Sequence, residues 1–432
     1  MPKNSIIKSA ALSQGSPFDK TAQHAAKRAA ILSEAAKLFN SKGARATTLA
    51  DVAATLGLTK TSLYYYVKTK EDLIYQCYKA TLEGVLSTLS EIEQTQSSAS
   101  DRIRAYINAH FDAIRLAKEG SGHHVAALLE IASLKEKRRS EIEHGYIAMF
   151  KKLREFIQQG IDAGEFRQVR TTTSTRALIG ALDWSFYWLE PVPNDEIPAL
   201  AEAAASIILS GVAAAPYSYE QISEQKLQSS PVQPGFDRDA QNRLKQEAFF
   251  KAGTRFFNRK GFSGTSLDEI AEFLNVSKGA FYYHINSKDE LLYRCYDYSL
   301  DQIEAAYAPI VERDDMGLNK AVSTCHQLFG LQLSEAGPLV RYNTITALAE
   351  EHRKPILRRT NNTNRMMRHF LEQGIEDQTI RPINTLVAEN LITGALNAAM
   401  ELRSWRPIDN IPNTAVEYFD ALINGLLNPQ EN

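Results

Sequence analysis

Lys60, Thr61, Ser62, Tyr64 and Tyr65 crowd hydrogen-bond donors into one short stretch of the chain. A lysine can donate to the O6 and N7 edge of guanine, and a tyrosine or threonine hydroxyl can donate to a backbone phosphate. Carried on one face of a short helix, such a set suits nucleic-acid contact. A matching set, Lys278, Gly279, Ala280, Tyr282 and Tyr283, lies 218 residues further on. There the glycine lets a partner's backbone approach closely. Taken singly, each tyrosine could be core and each lysine merely solvated. The repeated set argues for an interface.

Three helix starts frame the first set. Thr48 with Asp51 reads as an N-cap whose carboxylate reaches back. Leu49, Val52, Ala53 and Leu56 follow at helical spacing, and Gly57 supplies a left-handed stop. Thr59 then caps a short second helix, with Leu63 and Val67 facing inward, and Thr69 with Asp72 caps a third. Two short helices joined by a tight glycine turn form the helix-turn-helix pattern, whose second helix fits the major groove of DNA. Ser266/Glu269 and Ser287/Glu290 predict capping boxes at the matching places of the second stretch. Thr48 and Ser266, at helix N-termini, suit phosphate. Between Leu49–Tyr78 and Leu267–Tyr296, 11 of 30 positions are identical without gaps. Chance gives about two at ordinary residue frequencies, so the segment is duplicated. Gly180-Ala-Leu echoed by Gly394-Ala-Leu, and Gly211 by Gly425, extend the duplication over both halves at an offset of 214.

The remaining apolar patterns repeat at helical spacing and none alternates as a strand does, so an all-α fold is predicted. Helices are expected near 24–41, 70–94, 101–119, 123–139, 141–163, 171–190 and 195–213. The second half repeats the plan with a helix near 240–259, the helix-turn-helix over 266–285 and a helix from Lys288, then five more between about 317 and 427. At 432 residues the chain exceeds a single core. The expected division is a disordered arm (1–22), a first DNA-binding head (23–69), a helical domain (70–214), a linker (215–238), a second head (239–287) and a second helical domain (288–430).

A net charge of −2 argues against coating nucleic acid with the whole surface. The charge is uneven, however. Residues 25–82 hold nine basic against four acidic residues, and residues 241–299 hold nine against seven. Local basic ends on an acidic body suit docking to DNA through one end. No apolar run reaches 18 residues, so no membrane span is expected. The polar N-terminus lacks a signal-peptide core, and a cytoplasmic chain is expected. Cys77, Cys295 and Cys325 give neither a disulfide framework nor a zinc spacing and read as buried thiols. His123 and His124, adjacent on a helix, would point apart, so no metal is expected there. The aromatic run Trp184–Trp188 reads as packing. Arg138-Arg139 and Arg358-Arg359 read as solvated faces, or as holders of an anionic head such as a CoA phosphate. With no nucleophile–base pair, phosphate loop or metal spacing, neither an enzyme nor a cofactor is expected.

The run Ser277-Lys-Gly-Ala-Phe-Tyr-Tyr-His-Ile-Asn-Ser-Lys-Asp-Glu-Leu-Leu292 closely resembles the helix-three and helix-four pattern of the tetracycline-repressor (TetR) family of bacterial transcription regulators. Thr59-Lys-Thr-Ser-Leu-Tyr-Tyr-Tyr-Val-Lys-Thr-Lys-Glu-Asp-Leu73 resembles it too, departing at Thr61, where glycine is common, and at Tyr66, where histidine is common. The resemblance is specific over about 50 residues per copy. It implies two tandem TetR-like units, each a three-helix head that reads double-stranded operator DNA plus an α-helical ligand and dimerisation domain. It also implies phosphate contacts from the end of the reading helix, here Tyr66 and His284, and from the lysine opening helix four, here Lys70 and Lys288. The function so implied is a ligand-responsive regulator, most simply a repressor released by a small hydrophobic or acyl-type effector through movement of helix four. A constitutive or architectural DNA-binding protein without an effector is the alternative. Family members dimerise through their last two helices. Both copies of those helices are present here, so one chain is expected to form an intrachain pseudo-dimer. Further assembly into a homodimer is left open.

Overall fold

Residues with apolar spacing near 3.6 become helices along almost the whole chain. A computed structural model describes residues 20–128, 131–219, 238–334 and 337–429. The expected arm (1–22) lies outside these residues apart from 20–22. The expected linker (215–238) does so apart from 215–219 and 238. The first copy runs α1 (Lys20–Ala46), α2 (Leu49–Thr55), α3 (Lys60–Tyr64), α4 (Lys70–Thr95), α5 (Ala99–Lys118), α6 (Glu136–Asp162), α7 (Thr171–Asp183), α8 (Ser185–Trp188) and α9 (Ile197–Ser210). The second runs α10 (Arg238–Gly264), α11 (Leu267–Phe273), α12 (Lys278–His284), α13 (Lys288–Val311), α14 (Gly317–Leu333), α15 (Glu350–Glu376), α16 (Thr385–Ala399) and α17 (Ile411–Ile423). No strand occurs among the described residues; Ala213 and Ile380 form an isolated antiparallel bridge. The fold is all-α, as the spacing predicted.

Four of the predicted caps form, those of Thr48, Thr59, Thr69 and Ser287. Thr48 and Asp51 make the reciprocal box, with Asp51 N–H donating to Thr48 Oγ1 at 3.1 Å and Thr48 N–H donating to Asp51 Oδ2 at 2.7 Å. The hydroxyls of Thr59, Thr69 and Ser287 accept from Ser62, Asp72 and Glu290 N–H, and Ser277, not foreseen, caps α12 through Ala280 N–H. The box expected at Ser287 is only half made, because the Glu290 carboxylate accepts from Asn286 N–H instead of Ser287 N–H. Ser266 is the exception. Its hydroxyl caps nothing, and the Glu269 carboxylate turns to Lys260 Nζ at 2.8 Å. Gly43 and Gly261 break α1 and α10 with positive φ of 81° and 67°. Only glycine takes that conformation without strain, so the chain turns there toward the helix-turn-helix.

The helix expected at 123–139 does not form. Residues 123–128 are irregular, Ile131–Ser133 is a single 3-10 turn, and a continuous α6 replaces the two helices expected between 123 and 163. The reason lies in the neighbours. His124 N–H donates to Ser33 Oγ, Ala126 N–H to Thr81 Oγ1 and Ala127 N–H to Asn40 Oδ1, at 2.9, 3.0 and 2.9 Å. Side chains of α1 and α4 thus take the donors a helix would have used. The second copy also departs from five regular helices. Tyr342–Ala347 and Met400–Ser404 are 3-10 turns beside four α-helices.

The chain forms two compact bodies. Residues up to Thr171 together with Leu182–Leu209 make the first, and Thr172–Ala181 together with Ser210–Pro429 make the second. This division cuts across the sequence repeat, because part of α7 and the segment after α9 belong to the second body. In the first body, α4 packs along α6 and against α1, and the head buries Ile31, Ala35, Val52, Leu63, Val67 and, at its junction with α4, Leu73. In the second body one apolar cluster runs from Phe249 and Phe281 of the head through Leu291 and Cys295 of α13 to Ile345 and Ile356. Burial of each large side chain contributes about 1.5–3 kcal/mol, so head and helical domain are held by common contacts.

Within the second body the tail of the first copy is sewn to the second. Val212 N–H donates to the carbonyls of Leu422 and Ile423 at 3.0 Å, and Ala214 N–H donates to Thr379 O at 2.9 Å. Arg381 N–H returns a bond to Val212 O at 3.0 Å. Tyr217 and Tyr219 hydroxyls donate to Asn319 Oδ1 and Asp420 Oδ1. Gly211 permits this approach: with φ 73°, a Cβ there would stand 2.4 Å from Ile423 O. Gly180 of α7 likewise abuts α16, its absent Cβ falling 2.3 Å from Ala398 Cβ.

Candidate nucleic-acid interface

The short helices α3 and α12 are each anchored by one buried side chain, Leu63 at 1% exposure and Phe281 at 0%. One anchored face leaves the other turned to solvent. On it lie Lys60, Thr61, Ser62, Tyr64 and Tyr65 in the first copy, and Lys278, Gly279, Ala280, Tyr282 and Tyr283 in the second, all exposed. Tyr65 and Tyr283 are 76% and 84% exposed. These tyrosines are therefore not core residues. Gly279 faces open space, with nothing near an added Cβ.

The surrounding predicted positions are more enclosed. Tyr66 is half-buried and stacks on His24 with ring centroids 4.7 Å apart. His284 packs against Phe249 and Tyr283 at 5.7 and 5.1 Å. Thr48 is exposed at its cap, whereas Ser266 and Lys70 are half-buried. Lys288 turns inward. Its ammonium donates to Thr265 O at 2.7 Å and sits 4.9 Å from the centre of the Phe262 ring. The lysine opening the second long helix thus braces the α10–α11 corner.

The two reading helices differ in how their lysine is held. Lys278 Nζ lies 2.5 Å from Asp268 Oδ2, and Tyr282 OH donates to Asp268 Oδ1 at 3.3 Å. The hydrogen bond to Lys278 holds the Asp268 carboxyl below its ordinary value, and the same bond raises Lys278. In the first head Asp51 is lowered chiefly by the Thr48 backbone bond of its own cap.

Each head is tied to the helical domain behind it. Arg138 of α6 donates to Asp72 Oδ1 at 2.7 Å and lies over Tyr75, while Tyr75 OH and Lys79 Nζ both donate to Glu141 at 2.7 Å. Arg359 of α15 meets Asp297, Asp301 and Glu304 of α13 at 2.5–2.7 Å. Arg138 and Arg359, expected as solvated or ligand-facing charges, are instead engaged with helix four of their own copy. Burial pushes the thiols of Cys77, Cys295 and Cys325 up to about 12, which leaves them inert. In the aromatic run, Trp184 and Ser185 are buried, and Trp188 meets Phe111 edge-on at 6.0 Å. No cluster able to hold a metal occurs among the described residues.

A second tie escaped sequence reasoning. Asn40 of α1 donates to Val125 O at 2.8 Å and accepts from Ala127 N–H at 2.9 Å. Asn258 of α10 does the same with Leu339 O and Arg341 N–H, both at 2.9 Å. Ser299 Oγ accepts from Val340 N–H as Thr81 does from Ala126. The clue was asparagine, a poor helix former, at equivalent interior positions of both first helices. Asn40→Ala would strand a buried donor and acceptor and is expected to cost about 2 kcal/mol. Amide hydrogen exchange at Ala127 should then speed up well beyond that of α6. Unchanged exchange there would show that the asparagine does not hold the segment.

Residues 31–77 and 249–295 both match the family model described as bacterial regulatory proteins, tetR family, and residues 96–212 match the tetracyclin repressor-like C-terminal domain. The HTH-type transcriptional repressor KstR2 of Mycolicibacterium smegmatis is 24% identical over 201 residues, covering 45% of this chain and 94% of its own. The uncharacterized regulator YerO of Bacillus subtilis is 44% identical over 54 residues, 12% of this chain and 19% of its own. Among solved structures, PfmR from Thermus thermophilus aligns over 40% of this chain and 94% of its own at 26% identity and a TM-score of 0.34. AibR, solved with isovaleryl coenzyme A and operator DNA, aligns over 42% and 97% at 25% identity and a TM-score of 0.36. KstR2 matches over nearly its whole length with less than half of this chain, and the head model matches twice, so the chain carries two tandem TetR-like units.

Proposed function

We propose that this protein is a DNA-binding transcriptional repressor whose hold on its operator is released by a small molecule, with both heads of one chain reading one operator. The observation that carries this reading is the doubled reading helix: a lysine, small residues and two exposed tyrosines on one face, each anchored by one buried side chain. The sixteen residues from Thr48 to Lys70 and from Ser266 to Lys288 singled out in the sequence are the proposed contact set. Lys60 and Lys278 are assigned to base edges, and the tyrosines to phosphate. The similarity to proteins named as transcriptional repressors supports the regulatory role. The matched family is one of regulators, not of enzymes.

The effector is assigned to the helices behind each head and to a small hydrophobic or acyl-type class, which suits elements as apolar as α7 and α9. It would act through α4 and α13, which run from the reading heads into that region. A ligand can shift DNA affinity only through different affinities for the two head positions. The pseudo-dimer within one chain is supported by Gly180 against α16 and by the tail of the first copy bonded to Thr379, Leu422 and Ile423. No described helix is long and apolar enough to cross a membrane, and a cytoplasmic site of action completes the proposal.

Selection from a randomised duplex pool tests it. The full chain should enrich two unlike half-sites about one helical turn or more apart, because Thr61/Gly279, Ser62/Ala280 and Tyr66/His284 differ. The double variant Tyr65→Ala/Tyr283→Ala should weaken binding to every sequence by about tenfold or more. Enrichment of no sequence would remove the reading. Enrichment of a perfect palindrome would remove the pseudo-dimer.

A further inference from the structure

The acidic first turn of α11 sets the second head apart. Lys278 and Tyr282 are four residues apart, so they lie on one face of α12. One carboxylate, Asp268, takes both, the ammonium at 2.5 Å and the hydroxyl at 3.3 Å. The equivalent residue of the first copy is Ala50. It has no oxygen to offer Lys60 or Tyr64, and the acid beside it, Asp51, is spent on the Thr48 cap. The arrangement therefore belongs to one head only. It differs from the neighbouring pair, Lys260–Glu269, which ties α10 to α11 away from the reading helix.

We propose that Asp268 is a specificity-determining residue of the second head: it positions Lys278 and Tyr282 and withdraws Lys278 from sequence-independent attraction to phosphate. A lysine that neutralises a phosphate releases a counterion and adds to affinity for any sequence. A lysine already neutralised by a carboxylate adds much less. Held at a fixed place, it favours only those base steps that present an acceptor there. In the first head, with Ala50 in place of the carboxylate, Lys60 reads base edges less strictly and keeps the sequence-independent pull as well. The second then discriminates.

This rests on the DNA-reading assignment above, and the test separates the two. The full chain and its variants are taken through selection from a randomised duplex pool and then titrated with a random-sequence duplex across salt concentrations. Asp268→Ala, which gives the second head the residue of the first, should relax the second half-site and leave the first unchanged. Its salt slope on random duplex should steepen by about one. Asp268→Asn keeps polar partners for Lys278 and Tyr282 but loses the charge, so it should steepen the slope while retaining the half-site. Glu272→Ala removes an exposed acid of the same helix whose charge reaches Lys278 but which bonds neither side chain, so it should leave base preference untouched. Ala50→Asp should sharpen the first half-site. An Asp268→Ala protein that selects the same second half-site as the unaltered chain overturns the inference and leaves the DNA reading standing. An unaltered chain that selects nothing overturns both.

Discussion

Replacing Glu401 by alanine is expected to cost about 3 kcal/mol of stability, the low end for a broken buried ion pair because its side chain keeps a third of its surface in water. Glu401 lies between two guanidiniums of the second body, those of Arg176 on α7 and Arg341 ahead of the Tyr342–Ala347 turn. Arg176 is only 4% exposed, so truncating the carboxylate removes the countercharge from a cation that water scarcely reaches. Burial raises the Glu401 carboxyl, and the two arginines more than offset this, holding it below its ordinary value of 4.5. The stability it contributes is thus fully present above that value and is lost as pH falls through the lower folded value. Denaturant unfolding at neutral pH checks the main claim. A change under 0.5 kcal/mol would show that the carboxylate is dispensable. Glu401→Gln, which keeps an acceptor, should fall between the two.

Phe281→Ala should cost more, about 3–5 kcal/mol. The ring is fully buried, stacks at a tilt on Phe249 with centroids 5.0 Å apart, and is the anchor of α12. Its cluster continues into α13 and Ile345, so the cavity would loosen the head and the start of the helical domain together. The expected outcome is fast hydrogen exchange across residues 249–285 and loss of the second half-site from selected DNA, with the first half-site retained. Protection unchanged in that segment would mean that α12 is held by something other than its single anchor.

The features legible in the sequence are those fixed within a few residues of themselves. Thr59, Thr69 and Ser287 sit where a hydroxyl meets an amide three residues on, and each bond forms. Ser266 shows the limit of that reasoning. Its local pattern is as good as that of Thr48, yet Lys260, six residues away in sequence on another helix, claims Glu269. The irregular stretch after His123 fails for the same reason: its apolar spacing suits a helix, but Ser33, Asn40 and Thr81 are hydrogen-bond partners far away along the chain. The reading face could be inferred because exposure follows from the helical period once Leu63 or Phe281 is placed inward. Asp268 could not, because pairing across α11 and α12 depends on the crossing of two helices.

The arginine–carboxylate bridge has a consequence for inheritance. When two separate copies of one polypeptide pair, a substitution appears on both at once and must suit its own mirror position. Two copies in one gene mutate separately. At the 214-residue offset the counterparts of Arg176 and Glu401 are Asn390 and Tyr187, which cannot make the mirror bridge. Each such one-sided bond makes the halves less interchangeable. If the proposed pseudo-dimer holds, a gene split at residue 220 should therefore yield two products that need each other.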